Sequence, residues 1–262
     1  MWNNQKEIYS IVWVSFMRGK YMDKKYKDCI VVFLDILGFK NTITNSKTEE
    51  SVKKIFDILT YIEAWNTSDG LNKFIEEKDF RSESFLENKS VSFNENQQEI
   101  QISYFSDSLA ISLPYDESNL ETRLFLITRT LAYFITKVSS MNFFIRGGIS
   151  IGKMYHNKNI FFGPAFLEAN RLESEVAIYP RVIFSTDLVD VVKQIPYVKK
   201  SEDGIFHIDW FDFLKQEDNK MLYQKTVNLP DMNHVKELIQ KNIDSNSDIK
   251  IKSKYIWLLN QI

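Results

Sequence analysis

The alternation of apolar and polar positions predicts short strands and amphipathic helices in succession. The run CIVVFLD at 29–35 is continuously apolar until it ends in a carboxylate, which predicts a buried central strand. The sequence Ser46-Lys47-Thr48-Glu49 has the pattern of a helix N-terminus. Behind it, apolar residues recur at helical spacing, at Val52, Ile55, Phe56, Leu59 and Ile62. The chain is therefore expected to open with a buried strand followed by helix.

The middle of the chain predicts a hairpin, a long helix and two further strands. Residues 98–113 read as two strands that meet at 106–108. Apolar residues from Leu120 to Val138 recur with the period of an amphipathic helix. Residues 142–162 read as two strands with a turn near 153–159, whereas the polar residues 67–97 read as a long surface excursion.

The remaining predicted elements are a helix from Gly163-Pro164 to about Ile178, a strand over 180–185, a short helix near 186–193, a strand or edge segment over 206–213, and amphipathic stretches near 230–244 and 250–262. The resulting order, β-α-α-β-β-α-β-β-α-β-α, favours the α+β class with a mostly antiparallel sheet and helices packed on one side. Without internal repeats or a Gly/Ser linker, the simplest division is an N-terminal extension over 1–28, a main domain over 29–214 and a helical C-terminal appendage over 215–262.

Composition narrows the class of protein. Of the 262 residues, 44% are hydrophobic and 26% are charged, which is typical of a soluble globular chain. The net charge of −2 disfavours a protein that coats nucleic acid, and no apolar run reaches the roughly 18 residues of a membrane span. The single cysteine, Cys29, excludes an intrachain disulfide and a cysteine-built zinc site. We therefore expect a cytoplasmic protein without a nucleic-acid or membrane partner.

Two carboxylates are the strongest candidates for chemistry. Asp35 ends the buried strand, and Asp107 lies at the tip of the predicted hairpin. In a sheet of this kind the two strands can be neighbours, and two like charges at an apolar edge need a cation or a proton between them. Two Mg²⁺ or Mn²⁺ ions are the natural occupants, because hard divalent cations bind carboxylate and phosphate oxygens together. Alternatively, Asp107 only forms a turn and Asp35 only ends a strand.

Three arginines are candidates for binding an anion. Arg146 follows the apolar run 143–145 and precedes two glycines that permit close approach to the backbone, although it could also face solvent on an edge strand. Arg171 and Arg181 could stabilise charge on a reacting phosphate. The alternative for Arg171 is an ion pair within its own helix, with Glu168 or Glu175.

Other familiar chemistries lack support. The histidines His156, His207 and His234 do not form a metal-binding spacing, and we interpret them as structural or surface residues. The sequence contains no GxGxxG motif, no P-loop and no G-x-S-x-G motif. Dinucleotide binding, Walker-type phosphate binding and α/β-hydrolase chemistry are therefore disfavoured.

The candidate residues occur in motifs that resemble those of the class III nucleotide cyclases. The similar segments are, in chain order, VVFLDILGF at 31–39, SYFSDSLAIS at 103–112, FIRGGISIG at 144–152 and GPAFLEANRLE at 163–173. Ser106 stands where that family usually has glycine. The match extends over roughly 29–210 in the family's order, which is more specific than any single motif.

The resemblance implies a ferredoxin-like or palm-like sheet and a role for each motif. Asp35, Asp107 and the backbone carbonyl of Ile36 would hold two divalent cations, Mn²⁺ or Mg²⁺. The backbone of Ile36, Leu37, Gly38 and Phe39 would cradle a nucleoside triphosphate, and Arg146 would stabilise the departing pyrophosphate. Arg171, from either subunit of a dimer, would act at the pentacoordinate phosphorus, with Arg181 as the reserve.

Three positions depart from the family pattern. Leu167 stands where an asparagine would contact the ribose, Gln101 where a lysine would read a purine, and Ile160 near the place of an adenine-reading acid. Ordinary adenine readout is therefore disfavoured. The departures fit a branch that reads another base, with Gln101, Ser103 or residues of the 67–97 excursion as candidate base contacts, and they would also fit a catalytically dead cyclase.

Within that superfamily, the sequence most resembles the pyrimidine cyclases of the bacterial Pycsar anti-phage system. The shared features are CIVVFLDILGFK at 29–40, the helix at 163–173, YPRVIFS at 179–185 and KYIWL at 254–258. This resemblance implies a homodimer with sites at its interface, which cyclises UTP or CTP and whose product switches on a co-encoded effector. The alternatives are a purine cyclase and a nucleotide-binding or dimerisation module without activity.

Overall fold

The computed structural model describes most of the chain, in four ranges: 26–66, 100–158, 160–216 and 231–262. The polar segment 67–97 and nearly all of the predicted N-terminal extension lie outside these residues, so the predictions for them stay predictions.

An eight-stranded sheet forms the centre of the fold. Its strands are β1 (Lys27–Ile36), β2 (Gln101–Phe105), β3 (Ser108–Pro114), β4 (Ile145–Asn157), β5 (Ile160–Phe162), β6 (Val182–Phe184), β7 (Val198–Lys200) and β8 (Phe206–Ile208). They lie in the order β2-β3-β1-β4-β6-β8-β7, and β5 pairs with β4 outside this path. Among the strand pairs of the described ranges, only the pairing of β4 with β6 is parallel. The predicted α+β class with a mostly antiparallel sheet is confirmed.

Eight α-helices accompany the sheet in the described residues. They are α1 (Phe39–Asn45), α2 (Glu49–Asn66), α3 (Leu120–Ser140), α4 (Pro164–Arg171), α5 (Val189–Val192), α6 (Trp210–Lys215), α7 (Met232–Ser245) and α8 (Ile249–Leu259). Helices α1 and α2 lead from β1 towards β2, and α3 connects β3 to β4. With the strand order β2-β3-β1-β4, this is the split arrangement of ferredoxin-like folds.

Strand β1 is apolar on both of its faces, and each face has its own helical cover. Its even-numbered residues join the large core beside α2 and α3, namely Ile30, Val32, Leu34 and Ile36. Cys29 and Val31 instead pack beneath Ala165 and Ala169 of α4. The prediction that helices pack on one side is therefore corrected: α4 covers the second face, which is why the run 29–34 does not alternate with polar residues.

The two glycines after Arg146 allow α4 to approach β4 closely. A Cβ atom added to Gly148 would lie 2.4 Å from the carbonyl oxygen of Ala169, and one added to Gly147 would lie 2.5 Å from that of Phe33. Both separations are far below van der Waals contact. The glycine pair therefore lets both a neighbouring strand and a helix pack directly against the backbone of β4.

Several predicted boundaries differ from the observed ones. Helix α4 ends at Arg171 and continues as a π-helical turn to Val176, short of the predicted Ile178. Strand β4 keeps pairing as far as Asn157, beyond the start of the predicted turn. The segment 206–213 is only in part a strand, because Asp209 accepts a hydrogen bond from the Asp212 N–H and caps α6. The aromatic residues of α6 are buried, which stabilises a helix there.

The two C-terminal helices pack against the main core. Val235 and Ile239 of α7 and Leu258 of α8 belong to the same cluster of buried side chains as the even-numbered residues of β1. Among the helices in the described ranges, none has the length and apolar content needed to cross a membrane.

Candidate functional site

The pairing of β1 with β3 brings Asp35 and Asp107 together. Asp35 lies opposite Ser108 in the register, and the Ile36 N–H donates a 3.2 Å hydrogen bond to the carbonyl oxygen of Asp107. Burial raises the pKa of the Asp35 carboxyl, and the negative charge of Asp107 raises it further. Two residues that are far apart in sequence thus meet at one end of the sheet, as predicted.

The turn that presents Asp107 has an unusual backbone. Ser106 adopts a φ of 57°, in the left-handed region that favours glycine. Glycine would adopt this conformation without strain, whereas it is less favourable for serine. The turn nevertheless carries serine, directly before Asp107.

Arg146 lies beside Asp35 on the other neighbouring strand, where the two residues are register partners. Its Nε and Nη2 atoms each lie 3.4 Å from Asp35 Oδ2, and both donate to that oxygen. The same Nε lies 2.6 Å from Glu173 Oε1. The predicted anion partner of Arg146 is therefore, in this structure, a pair of carboxylates.

Glu173 is a site residue that the sequence analysis missed. It is only 4% exposed, and burial raises the pKa of its carboxyl, against the opposing effect of Arg146. Its Oε1 atom makes no hydrogen bond within the described residues, although Arg146 is close. The acids at 168, 173 and 175 look alike in sequence. The close packing of the π-helical turn against β4 is what buries Glu173, whereas Glu168 is half-buried and Glu175 is exposed.

The Asp35–Asp107 pair is suited to bind a divalent cation, because two neighbouring carboxylates repel each other when no cation lies between them. The pKa of Asp35 is raised by burial and by the neighbouring carboxylate, so a bound cation would remove a real electrostatic cost. Carboxylate oxygens are the ligands that Mg²⁺ and Mn²⁺ prefer. No three acidic, histidine or cysteine side chains form a ready ligand set in the part of the chain described. Backbone and substrate oxygens would therefore have to complete the coordination.

The two other candidate arginines have different surroundings. The guanidinium of Arg171 is paired with Glu168 through two 2.8 Å hydrogen bonds, and Glu175 lies 3.8 Å away. These contacts are the ion pair within its own helix that the sequence analysis gave as the alternative for Arg171. Its side chain is 47% exposed, so a second molecule could still reach it.

Arg181 is buried, and its partners lie outside the candidate site. Its side chain is 2% exposed and forms an ion pair with Asp203. The guanidinium also lies 5.3 Å from the ring centre of Trp257 and 5.5 Å from that of Tyr179. These partners account for its charge, and none of them belongs to the Asp35–Asp107 pair. The structure therefore gives no support to Arg181 as a reserve catalytic group.

The predicted phosphate cradle is only partly available. The Leu37 N–H already donates to the carbonyl oxygen of Phe144 at 2.8 Å, and the ring of Phe39 is buried in the core. Gly38, with a φ of 75°, lines a cavity of about 630 Å³ together with Leu37. The turn after Asp35 thus faces an open space, but its Leu37 amide is engaged elsewhere.

Gln101 and Ser103 belong to a polar cluster on β2. Gln101 Oε1 accepts a 3.3 Å hydrogen bond from the Lys158 N–H, and Ser103 donates to the Lys158 carbonyl oxygen. His156 joins the cluster, with Nε2 2.8 Å from Ser103 Oγ and Nδ1 2.9 Å from Ser112 Oγ. Because Ser103 uses its proton on Lys158, this network assigns the neutral, Nε2-protonated tautomer to His156. Burial lowers the pKa of His156 to about 4.

His156 is expected to make the fold sensitive to acid. Its pKa of about 4 lies below the usual 6.5, so between these values the unfolded chain binds more protons and stability falls as pH falls. From pH 7.5 to 5 the loss is about 2 kcal/mol from this group. Urea unfolding at both pH values should show a correspondingly smaller loss in His156→Gln. Since His207 also has a lowered pKa of about 4, a residual loss is expected, and equal losses in both proteins would contradict the assignment.

Comparisons with known proteins gave structural matches only. No family model matches the chain, and no curated protein matches its sequence. One matching structure is the monomeric guanylyl cyclase domain of the RhoGC fusion protein from the aquatic fungus Blastocladiella emersonii, at 16% identity and a TM-score of 0.44, covering 71% of this chain and 96% of that one. Another is a class III adenylyl cyclase-like ATP-binding protein from Pseudomonas aeruginosa, at 11% identity and a TM-score of 0.32, covering 90% of this chain and 44% of that one. At these identities and TM-scores, neither structure determines what this chain does.

Proposed function

We propose that this chain is a nucleotide cyclase of the class III type that converts UTP or CTP into the 3′,5′-cyclic monophosphate and pyrophosphate. The observation that carries the proposal is the meeting of Asp35 and Asp107 at the end of β1, with Arg146 beside them. The two carboxylates can bind divalent cations, and the guanidinium can bind phosphate. Their meeting at one end of the sheet therefore suits a substrate that carries phosphates together with bound cations.

In the proposed reaction, the ribose 3′-oxygen forms a bond to the α-phosphorus while the bond from that phosphorus to the bridging oxygen breaks. Asp35 and Asp107, with the Ile36 carbonyl, would hold two Mn²⁺ or Mg²⁺ ions. When bound, such ions favour loss of the 3′-hydroxyl proton and neutralise the phosphates. Arg146 is placed to receive the negative charge that leaves with pyrophosphate, after exchanging Asp35 and Glu173 for phosphate oxygens.

The proposal of a pyrimidine base rests on what stands at two positions. Gln101 replaces the lysine expected to read a purine, and Ile160 lies near the place of an adenine-reading acid. Of the two candidate base contacts, Ser103 is buried and its hydroxyl is engaged by Lys158 and His156, so the half-buried Gln101 side chain is the group left to meet the hydrogen-bonding edge of a pyrimidine. The first alternative is a purine cyclase, and the second is a non-catalytic nucleotide-binding module.

We further propose that 29–214 form the catalytic domain of a homodimer with sites at its interface. Large apolar side chains are exposed near the candidate motifs, with Phe105 81% and Leu167 67% exposed. In the proposed dimer, these side chains would be covered by the second copy of the chain. Arg171, exposed on the same helix as Leu167, could then act on a partner's substrate. The resemblance to Pycsar cyclases adds a role in phage defence, through a product that activates a co-encoded effector.

Product analysis tests the proposed reaction. Purified protein is incubated with each of the four ribonucleoside triphosphates and Mn²⁺, and the products are identified by mass spectrometry. We expect cyclic UMP or cyclic CMP together with pyrophosphate. Cyclic AMP or cyclic GMP would instead establish a purine cyclase. If the wild-type protein, like Asp107→Asn, forms no cyclic product from any of the four triphosphates, the chain is the non-catalytic module.

A further inference from the structure

Helix α8 is anchored beside the start of β4, at the end of the sheet that carries the candidate site. The ring of Tyr255 packs edge-on against Phe144, with centroids 5.4 Å apart. The ring of Trp257 stacks on Tyr179 at 5.0 Å and 7°. Phe144 immediately precedes β4, which carries Arg146, so these contacts fix one side of α8 close to that strand.

This anchoring places Lys254 in the wall of a cavity next to the turn that follows Asp35. Lys254 precedes Tyr255 in the chain, is half-buried, and lines the cavity of about 630 Å³. Leu37 and Gly38, which follow Asp35, line the same cavity. Lys254 therefore shares an open space with the turn that leaves the end of β1.

The charge around Lys254 is unbalanced. The pKa of its ammonium is lowered by burial and then by the positive charge of Arg146, while Asp248 opposes this shift. Within the described ranges Lys254 forms no ion pair. Of the other charged groups in the cavity wall, Lys54 is paired with Glu50 and Asp57 with Lys53, and Lys241 adds another positive charge. Arg146 is itself paired with Asp35 and Glu173, whereas Lys254 has no such partner in the described ranges and faces a cavity in which it can bind an anion.

We propose that Lys254 binds the β- and γ-phosphates of the substrate, so that the C-terminal appendage completes the nucleotide site. The inference rests on the proposed function, which supplies the triphosphate. Arg146 and Lys254 would then flank the polyphosphate, the first from the sheet and the second from α8. Base and ribose would be bound elsewhere, so Lys254 contributes affinity for the phosphate chain irrespective of the base.

Binding of inorganic tripolyphosphate with Mn²⁺, measured by calorimetry, tests this role without requiring turnover. Loss of one charge-assisted contact in Lys254→Gln is expected to weaken binding by about 10- to 100-fold. Lys254→Arg should retain most of the affinity. The matched control is Lys250→Gln, which removes the same charge from an exposed position of the same helix and should bind like wild type. The urea midpoints of all variants show whether the fold is kept.

The results separate this inference from the proposed function. If wild type forms no cyclic nucleotide but Lys254→Gln alone loses tripolyphosphate affinity, the phosphate-binding role stands and the cyclase proposal fails. If wild type is an active cyclase and Lys254→Gln keeps both the wild-type KM and the wild-type tripolyphosphate affinity, the role of Lys254 is overturned and the cyclase proposal stands. A wild type that does not bind tripolyphosphate, or equal losses in Lys250→Gln, would also overturn it.

Discussion

Replacing Asp107 by asparagine is expected to lower cyclic-nucleotide formation by at least about a thousandfold and to stabilise the metal-free protein at the same time. The activity falls because one of the two carboxylates that would hold the cations is lost, and about 4 kcal/mol of barrier lowering corresponds to that factor. The stability rises by about 1 kcal/mol because the half-buried Asp35 carboxylate loses a like charge beside it. Opposite signs for activity and stability are characteristic of a binding site, since a merely structural residue would lose both.

Product yield and thermal unfolding with and without Mn²⁺ measure the two effects. Wild type should gain stability on addition of Mn²⁺, and Asp107→Asn should gain much less. The control is Asp187→Asn, the same chemical change at an exposed position outside the site, which should behave like wild type in both assays. An Asp107→Asn variant with wild-type activity and an unchanged response to Mn²⁺ would remove the basis of the proposed cation pair.

Gly148→Ala is expected to destabilise the protein by about 3 kcal/mol or more and to reduce activity strongly. Its new methyl group would lie 2.4 Å from the Ala169 carbonyl oxygen and 2.5 Å from Leu172 Cβ, so the end of α4 and the π-helical turn must move away from β4. Glu173 lies on that turn and would move with it, away from Arg146. Denaturant unfolding and the rate of product formation measure the two losses.

Gly204→Ala provides the comparison for Gly148→Ala. Gly204 has a φ of 83° and its nearest neighbour, Lys200 Cε, lies 3.9 Å from the added atom. Its substitution should cost only the roughly 1–2 kcal/mol of a left-handed backbone and leave activity per folded molecule unchanged. If Gly148→Ala is no worse than Gly204→Ala in either respect, α4 is not held by close packing on β4.

Those parts of the fold and site that depend on one strand at a time were predictable from the sequence. The apolar run at 29–35 and the hairpin at 98–113 predict two strands, and a carboxylate at an end of each suggests their meeting, which the pairing of Asp35 with Ser108 produces. The second layer was not predictable in this way. The apolar residues on both faces of β1 indicate that both faces are covered, but which element covers the second face depends on how the whole sheet packs, and only the structure shows that it is α4.

The arginines show the same limit at the level of side chains. Arg146, Arg171 and Arg181 all occur in motifs, yet one contacts Asp35, one forms an ion pair on a helix surface, and one is buried beside Asp203 and Trp257. Local spacing identified Glu168 and Glu175 as partners of Arg171, but the partners of Arg146 and Arg181 come from elements that are more distant in sequence. Lys254 and Glu173 lie in segments on which the family resemblance rests, but their place near the site could not be predicted for the same reason.

The position of α8 has a consequence for the order in which the protein matures on the ribosome. Lys254, Tyr255 and Trp257 are synthesised after every other residue assigned here to the nucleotide site. A nascent chain that stalls before them could form the sheet and bring its two acids together, yet it would lack the lysine and both aromatic anchors. The contact proposed for Lys254 would then form only after the last helix has been synthesised.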